Sequence, residues 1–191
     1  IVAKEHAGRH AIGVIDETSF KKKGEKTVGV QRQHCGTTGK LDNCVVTVHL
    51  GFVSGGFHAL VDSDLFLPEE SWAGDLERCR EARIPEEVAY RPKWRIGLDL
   101  LGRTLDQGMK LKWVTADVAY GRVMEFRDGV EDLGLLYVVE IPSNLVGWTR
   151  PPRIDQAGTV LESGYRSRVR RLAPGAQASE ETLKGFRQEA Q

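Results

Sequence analysis

The chain has 191 residues, a formal net charge of zero, 40% hydrophobic residues and 28% charged residues. This composition is typical of a soluble globular domain and excludes a largely disordered chain. No apolar run approaches the about 20 residues that span a bilayer, so we expect no membrane segment. Zero net charge gives no general argument for nucleic-acid binding, which must therefore depend on local patches. Residues 20–40 form one such patch, with six Lys or Arg against one acid.

The first third of the chain predicts extended structure. A β-branched run predicts a strand over residues 10–16 that ends at Asp16, and a lysine-rich turn follows over 21–26. Further strands are predicted at 27–34, 43–53 and 57–67, separated by glycine-containing turns. Strands joined by such short turns should form an antiparallel meander.

The remainder predicts helices alternating with strands. Residues 68–92 should be mainly a long surface excursion with a short helix over 69–81. Apolar residues at helical spacing then predict helices over 93–108 and 121–133, and apolar runs predict strands over 112–117 and 135–141. We expect the last strand to be buried on both faces. The order predicts an α/β fold with a mixed sheet and helices on its faces. We predict a core over 1–150 and a polar, basic extension over 151–191.

Two predicted strands end in acids, Asp16 and Asp117. Neighbouring strands that end at one edge of a sheet would bring these carboxylates together, and hard oxygen ligands suit Mg²⁺. The alternative is that each Asp forms a turn or caps a helix. Lys21, Lys22 and Lys23 follow closely and could bind phosphate, or they could be a solvated hairpin tip.

Three cysteines, Cys35, Cys44 and Cys79, include no C-x-x-C pair, so we expect buried thiols rather than a disulfide framework. A metal cluster of His34, Cys35 and Cys44 is an alternative, although its spacing matches no common zinc site.

Several motifs resemble those of DDE-type insertion-sequence transposases. The similarity covers residues 10 to about 150 in order, and its motifs are these: IDETSFKKKG (15–24), GVQRQHCG (29–36), LDNC (41–44), LFLP (65–68), Trp72, IP (84–85), Lys93, VTADVAYG (114–121) and YVVEIP (137–142). The resemblance implies an RNase H-like fold, whose element order the predicted elements also follow. It implies that Asp16 and Asp117 are the first two catalytic acids and that they hold Mg²⁺ or Mn²⁺.

The same resemblance implies a third acid, a Glu on a later helix, within a Tyr-x₂-Arg-x₃-Glu-x₆-Lys pattern in related groups. Tyr165 and Arg168 have the first spacing, but Leu172 and Ser179 stand at the Glu and Lys positions, so the third acid is unknown. We therefore expect a fragment of a longer protein. The intact protein is expected to bind transposon ends and target DNA, to form a homodimer, and to be cytoplasmic and nucleoid-associated.

Two functions remain open from the sequence. One is a transposase core that hydrolyses a phosphodiester and joins the freed 3′ hydroxyl to target DNA, with Lys21, Lys22 and Lys23 on phosphates. The other is a truncated, inactive domain that at most binds DNA or a partner. Metal titration combined with a nicking assay separates them, because only the first requires metal-dependent cleavage.

Overall fold

The fold is taken from a computed structural model, which describes residues 6, 11–143, 145–148 and 166–168. The chain divides into two compact units, Ile1–Glu140 and Ile141–Gln191. Among the described residues, no helix is long and apolar enough to cross a membrane.

Six strands of the first unit form one mixed sheet. They are β1 Ile12–Lys21, β2 Gln31–Cys35, β3 Lys40–Ser54, β4 Phe57–Leu65, β5 Trp113–Ala116 and β6 Leu136–Val139. The helical elements are a π-helical turn Glu69–Ala73, α1 Leu76–Glu81, α2 Lys93–Asp106, α3 Val118–Gly121 and α4 Met124–Asp132. The strong β signal of 43–53 is confirmed by β3, which is longer than predicted.

The sheet order is β2-β3-β1-β5-β6, with β4 also paired to β3. The β1–β3, β2–β3 and β3–β4 pairs are antiparallel, whereas β1–β5 and β5–β6 are parallel. The predicted meander is thus wrong in one respect, since β2 does not pair with β1. The long strand β3 separates them: its residue Cys44 pairs with Lys21 of β1 on one edge and with Gln31 of β2 on the other.

The main core lies between one face of this sheet and the helices. Alternate residues of β1 and β3 point into it, as the buried Ile15, Val48 and Leu50 illustrate. Helix α2 confirms the predicted apolar stripe, because Leu98 and Leu101 are buried against this face. The predicted helix over 93–108 therefore begins and ends close to its observed bounds.

The opposite face of the sheet is open beside Leu60 of β4 and along β6. Leu60 is 64% exposed, and Leu136 and Val138 of β6 are each 48% exposed. The prediction that the last strand is buried on both faces is therefore wrong. Helices α2, α3 and α4 pack on the core face, so the continuous apolar run of β6 has one side that these helices do not cover.

The excursion over 68–92 is more ordered than predicted. Trp72 of the π-helical turn is 1% exposed, and its indole Nε1 donates to the Val30 carbonyl at 2.8 Å. The Arg78 guanidinium lies 3.9 Å from the centre of the same ring. With Val30, Val45 and Leu67, this tryptophan forms a second apolar cluster. The segment is therefore anchored to the sheet by a buried aromatic side chain.

The predicted helix over 121–133 is confirmed by α4, Met124–Asp132, which is shorter at both ends, and the short helix α3 precedes it. The chain leaves helical geometry at Val123, whose φ and ψ are −88° and 117°. Gly121 approaches the backbone of Glu140 so closely that a Cβ would collide with the Glu140 carbonyl oxygen. Tight packing of α3 against the end of β6 thus requires glycine here, and α4 starts afresh afterwards.

The second unit contains an antiparallel pair, β7 Val146–Trp148 and β8 Arg166–Arg168. The rest of the predicted extension over 151–191 lies outside the described residues, as do Tyr165, Leu172 and Ser179 of the third-acid comparison.

Candidate functional site

Asp16 lies inside β1 and not at its end, so the predicted end of the first strand is wrong. The pairing of β1 with β5 does stop next to it, with Ile15↔Ala116 as the last pair. Beyond that point β1 continues to Lys21 because β3 still pairs with it, up to Lys21↔Cys44. The sheet edge at which the sequence placed Asp16 is therefore where the pairing of β1 with β5 ends, and not where β1 itself ends.

Asp117 directly follows β5 and caps the short helix α3. Its Oδ1 accepts a hydrogen bond of 2.9 Å from the backbone N–H of Ala119, so the cap alternative is confirmed at this position. Ile15 and Ala116 both face the core, and side chains alternate along a strand, so the residue after each starts on the open face. The two aspartates thus occupy equivalent positions one step beyond the last pair of adjacent parallel strands.

Adjacent strands are about 4.8 Å apart, so the backbones of Asp16 and Asp117 are neighbours. Both side chains are exposed. The Oδ1 atom of Asp16 accepts from the N–H of Glu17 at 2.7 Å, and among the described residues Oδ2 of each aspartate has no hydrogen-bond partner. Each carboxylate therefore offers an oxygen toward solvent. We predict that the two carboxylates lie within about 4–8 Å of each other, close enough to share a metal pair.

On the helix-covered face, Glu17 joins three elements. Its Oε2 accepts from Lys93 Nζ of α2 at 2.6 Å, and its Oε1 accepts from the Tyr120 hydroxyl of α3 at 3.3 Å. Glu17 is thus committed to structural contacts although it follows Asp16 directly. Sequence reasoning missed this link; its signal was that both Lys93 and Tyr120 lie within the family-like motifs.

The electrostatics of Tyr120 support the closeness of the acids. Burial is the main cause of its raised pKa, and the charge and hydrogen bond of Glu17 add to it. The charges of Asp117 and Asp16 raise the pKa further. Both aspartates are therefore near enough to act on one hydroxyl, and Tyr120 stays protonated as a hydrogen-bond donor.

The three lysines do not form a single solvated turn. Lys21 is the last residue of β1, and its Nζ lies 2.8 Å from Asp42 Oδ2. The hydrogen bond and charge of Asp42 raise the pKa of Lys21, and the hydrogen bond from Lys21 is the main cause of the lowered pKa of Asp42. Lys22 and Lys23 form no ion pair with the described residues. Five residues of strand, about 17 Å, separate Lys21 from Asp16.

Two of the cavities lined by described residues of this unit bear on ligand binding. One of about 240 Å³ opens on the uncovered face beside Asp16, lined by Val14, Asp16, Thr18, His49, Gly51 and Leu60. Another of about 750 Å³ includes Gln31 of β2 and Arg78 of α1 in its lining and contains neither aspartate. The smaller cavity is therefore the one that belongs to the predicted site.

Among the described residues, no three His, Cys, Asp or Glu side chains converge as a metal-binding group. This excludes the alternative cluster of His34, Cys35 and Cys44, and the three cysteines are free and buried as expected. Burial raises the pKa of Cys44 to about 11, which keeps it an inert thiol. At this edge of the sheet, Asp16 and Asp117 each have one described carboxylate oxygen without a hydrogen-bond partner, and water would complete the shell of a divalent ion bound there.

The fold and these residues define an α/β protein with a mixed sheet and two acids that directly follow the last residue pair of its parallel strands β1 and β5. The chain belongs to the DDE superfamily endonucleases, whose family model matches residues 1–188. It is also 36% identical over 138 residues to the "Probable transposase for insertion sequence element IS701" of Microchaete diplosiphon. That match covers 72% of this chain and 33% of the relative, so the chain spans about a third of its relative's length. No solved structure matches the chain.

Proposed function

We propose that this chain is part of the catalytic core of an insertion-sequence transposase, which cuts a phosphodiester at a transposon end and joins the 3′ hydroxyl to target DNA. The observation that carries the proposal is the equivalent position of Asp16 and Asp117 after the last β1–β5 pair. The likeness to a probable transposase supports it.

We infer an RNase H-like architecture for this core. The sheet order supports it, since the central strand β1 is antiparallel to β3 on one side and parallel to β5 on the other, with β6 beyond. Helix α2 connects the antiparallel part to the parallel part, as the predicted element order requires. Function in this fold is argued from the acids and not from the architecture itself.

The donor set fits a Mg²⁺ or Mn²⁺ ion. Asp16 and Asp117 would hold it through oxygens that have no protein partner within the described part of the chain. When bound, such an ion activates water or a 3′ hydroxyl and stabilises the leaving oxygen. The Ala119 N–H fixes the orientation of Asp117, and Glu17 stays out of the donor set because Lys93 and Tyr120 hold it.

Lys22 and Lys23 would hold the DNA backbone at a distance from the reacting phosphate. The span of about 17 Å from Asp16 to Lys21 corresponds to about five nucleotide steps of 3.4 Å. Such contacts position the duplex without selecting a sequence. Lys21 would contribute less to DNA binding, because its ion pair with Asp42 neutralises its charge.

A second candidate is a domain that binds metal and DNA without cutting. The lack of a converging group of three metal-binding side chains among the described residues favours it for the isolated chain. We therefore expect the 191-residue chain to bind Mg²⁺ or Mn²⁺ weakly and to leave DNA intact. Cleavage is expected of the intact protein, where a third acid would complete the site.

Calorimetric titration of the purified chain with MnCl₂ tests the site. Asp16→Asn and Asp117→Asn should each lower Mn²⁺ affinity at least about tenfold, since each removes a charged ligand. Asp106→Asn is the matched control, because Asp106 is exposed at the far end of α2, about 20 Å along the helix from Lys93. Unchanged affinity in both site variants would contradict the proposed site.

Nicking of supercoiled DNA carrying a transposon end tests the function. In the intact transposase we expect metal-dependent nicking that Asp117→Ala abolishes. Robust nicking by the isolated chain would contradict the need for a further acid. Metal binding without cleavage by the intact protein would favour the second candidate.

A further inference from the structure

His49 of β3 lies directly opposite Asp16. The two residues are partners in the antiparallel β1–β3 register, and both line the cavity of about 240 Å³ on the open face. Facing side chains of such a pair have Cβ atoms about 4.5–5.5 Å apart. One ion with bonds of about 2.1 Å to each ligand could therefore join a carboxylate oxygen and a ring nitrogen.

The hydrogen bonds of the ring determine which nitrogen is available. The Thr47 hydroxyl donates to the Thr18 carbonyl at 3.3 Å, so its oxygen is left as an acceptor. His49 Nε2 lies 2.7 Å from that oxygen and therefore carries the ring proton. In the neutral ring, Nδ1 then has a bare lone pair. It is buried and has no hydrogen-bond partner among the described residues.

A buried acceptor without a hydrogen-bond partner, such as His49 Nδ1, requires an explanation, and a ligand bound between it and the Asp16 carboxylate would provide one. No described N–H or O–H donor reaches Nδ1, while a cation held by Asp16 would satisfy both groups. The Nε2–H contact to Thr47 is the kind of outer hydrogen bond that fixes the orientation of a metal-binding imidazole.

We propose that His49 Nδ1 is a nitrogen ligand which, with Asp16, makes this position selective for first-row transition-metal ions such as Mn²⁺ or Co²⁺ over Mg²⁺. Imidazole binds transition metals, whereas Mg²⁺ prefers an all-oxygen shell. The proposal rests on the proposed role of Asp16 as a metal ligand, but not on DNA cleavage. Asp117 lies on the other side of Asp16, directly after β5, and water fills the positions that these side chains leave open.

The test compares Mn²⁺ and Mg²⁺ binding to the purified chain, measured by electron paramagnetic resonance of free Mn²⁺ and by Mg²⁺ competition. In His49→Gln the amide nitrogen can keep the Thr47 contact while Nδ1 is removed. We expect Mn²⁺ affinity to fall about tenfold and Mg²⁺ affinity to change by less than about twofold. His49→Asn puts an oxygen near the Nδ1 position, so it should raise Mg²⁺ affinity above that of the unaltered chain while Mn²⁺ affinity still falls.

His58→Gln is the matched control. His58 is exposed on β4 and pairs with Val53, four residues along β3 from His49, so neither affinity should change. Equal loss of both ions in His49→Gln, or no loss of either, would overturn the nitrogen-ligand proposal. If only Asp16→Asn lowers both affinities, the proposed metal site stands and the role of His49 fails; if Asp16→Asn has no effect, the proposed function fails first.

A measurement on the unaltered chain covers the case in which the His49 variants do not fold. On titration with Zn²⁺, the ¹⁵N resonance of His49 Nδ1 should shift as a coordinated nitrogen while Nε2 keeps its proton. An Nδ1 resonance that does not shift at saturating Zn²⁺ would overturn the proposal.

Discussion

The Tyr120 hydroxyl donates a 3.3 Å hydrogen bond to Glu17 Oε1 across 103 residues of sequence. Glu17 follows Asp16 in β1, and Tyr120 lies in the helix that Asp117 caps. The hydrogen bond therefore connects the two backbone segments that carry the acids. Lys93 Nζ, 2.6 Å from Glu17 Oε2, fixes the same carboxylate to helix α2. We infer that Glu17 and Tyr120 are positioning residues for the acid pair.

Tyr120→Phe removes this hydrogen bond and leaves the buried ring. We expect the free energy of unfolding to fall by about 1 kcal/mol. We also expect Mn²⁺ affinity to fall about tenfold at a temperature where the variant is fully folded, because the acids lose their fixed separation. Urea denaturation and calorimetric titration of the same preparation measure the two effects.

Tyr137→Phe provides the comparison. Tyr137 of β6 is partly buried beside Glu131, and burial is the main cause of its raised pKa. Removal of the Tyr137 hydroxyl should lower the free energy of unfolding by a similar amount without changing Mn²⁺ affinity. If Tyr120→Phe also leaves metal affinity unchanged, the link is structural only.

Local sequence signals predicted much of the fold. The helix over 93–108 follows from the spacing of Leu98 and Leu101, and β3 follows from its β-branched run. The pairing of the strands was harder to predict from the sequence. β-hairpin reasoning assumes that neighbours in sequence pair, and nothing local shows that β3 is long enough to accept β1 on one edge and both β2 and β4 on the other.

The site was predicted only as far as its motifs extend. Asp16 and Asp117 were proposed because each follows an apolar run and lies in a family-like motif, but their contacts with residues distant in sequence could not be predicted. The pairing of Lys21 with Asp42 and the register of Asp16 against His49 are set by the β1–β3 ladder. The motif residues Glu17 and Tyr120 contact each other only because β1 and β5 are adjacent.

Gly121→Ala should destabilise the first unit by about 3 kcal/mol or more, because the new Cβ would collide with the Glu140 carbonyl and force α3 away from β6. Gly102→Ala in α2 is the opposite case. Its Cβ would meet nothing within 4 Å, so helix propensity should stabilise the protein by about 0.5–1 kcal/mol. Urea unfolding of both variants checks the pair; similar effects in the two would contradict the observed packing at Gly121.

Asp64 of β4 forms ion pairs with two arginines. Its Oδ2 lies 2.8 Å from Arg91 Nη2 and 3.3 Å from Arg103 Nη1. Burial opposes its charge, but the hydrogen bonds and charges of these arginines outweigh burial and lower its pKa. A carboxyl with a lowered folded pKa contributes stability above its unfolded pKa of about 3.9 and loses it as pH falls through the folded value.

We therefore expect Asp64→Asn to lose about 1–2 kcal/mol of unfolding free energy at pH 7, an amount limited by partial solvent screening. The difference from the unaltered chain should shrink as the pH is lowered below about 4. Urea unfolding at several pH values measures it. Asp128→Asn, at an exposed position of α4, should show no such convergence, and a constant difference for Asp64→Asn would refute the ion-pair explanation.

Lys22 and Lys23 should account for most of the salt dependence that the basic segment gives to DNA binding. The slope of log K against log salt becomes shallower by about 0.9 for each phosphate that the protein no longer neutralises. In the intact transposase, replacing both with Ala should reduce the slope by up to about 1.8 and weaken binding similarly across DNA sequences. Fluorescence anisotropy at several salt concentrations measures both quantities.

Lys21→Ala is the discriminating variant, because Lys21 differs from its neighbours by its 2.8 Å ion pair with Asp42. A lysine already neutralised by a carboxylate releases few counterions when DNA binds, so this variant should leave the slope nearly unchanged. Replacing all three lysines should then reduce the slope no more than replacing Lys22 and Lys23 alone. Asp42→Asn should free Lys21 and make the slope steeper. If Lys21→Ala reduces the slope as much as replacing Lys22 or Lys23 does, the ion pair with Asp42 does not persist on DNA. If no lysine variant changes the slope, this segment does not contact the phosphates.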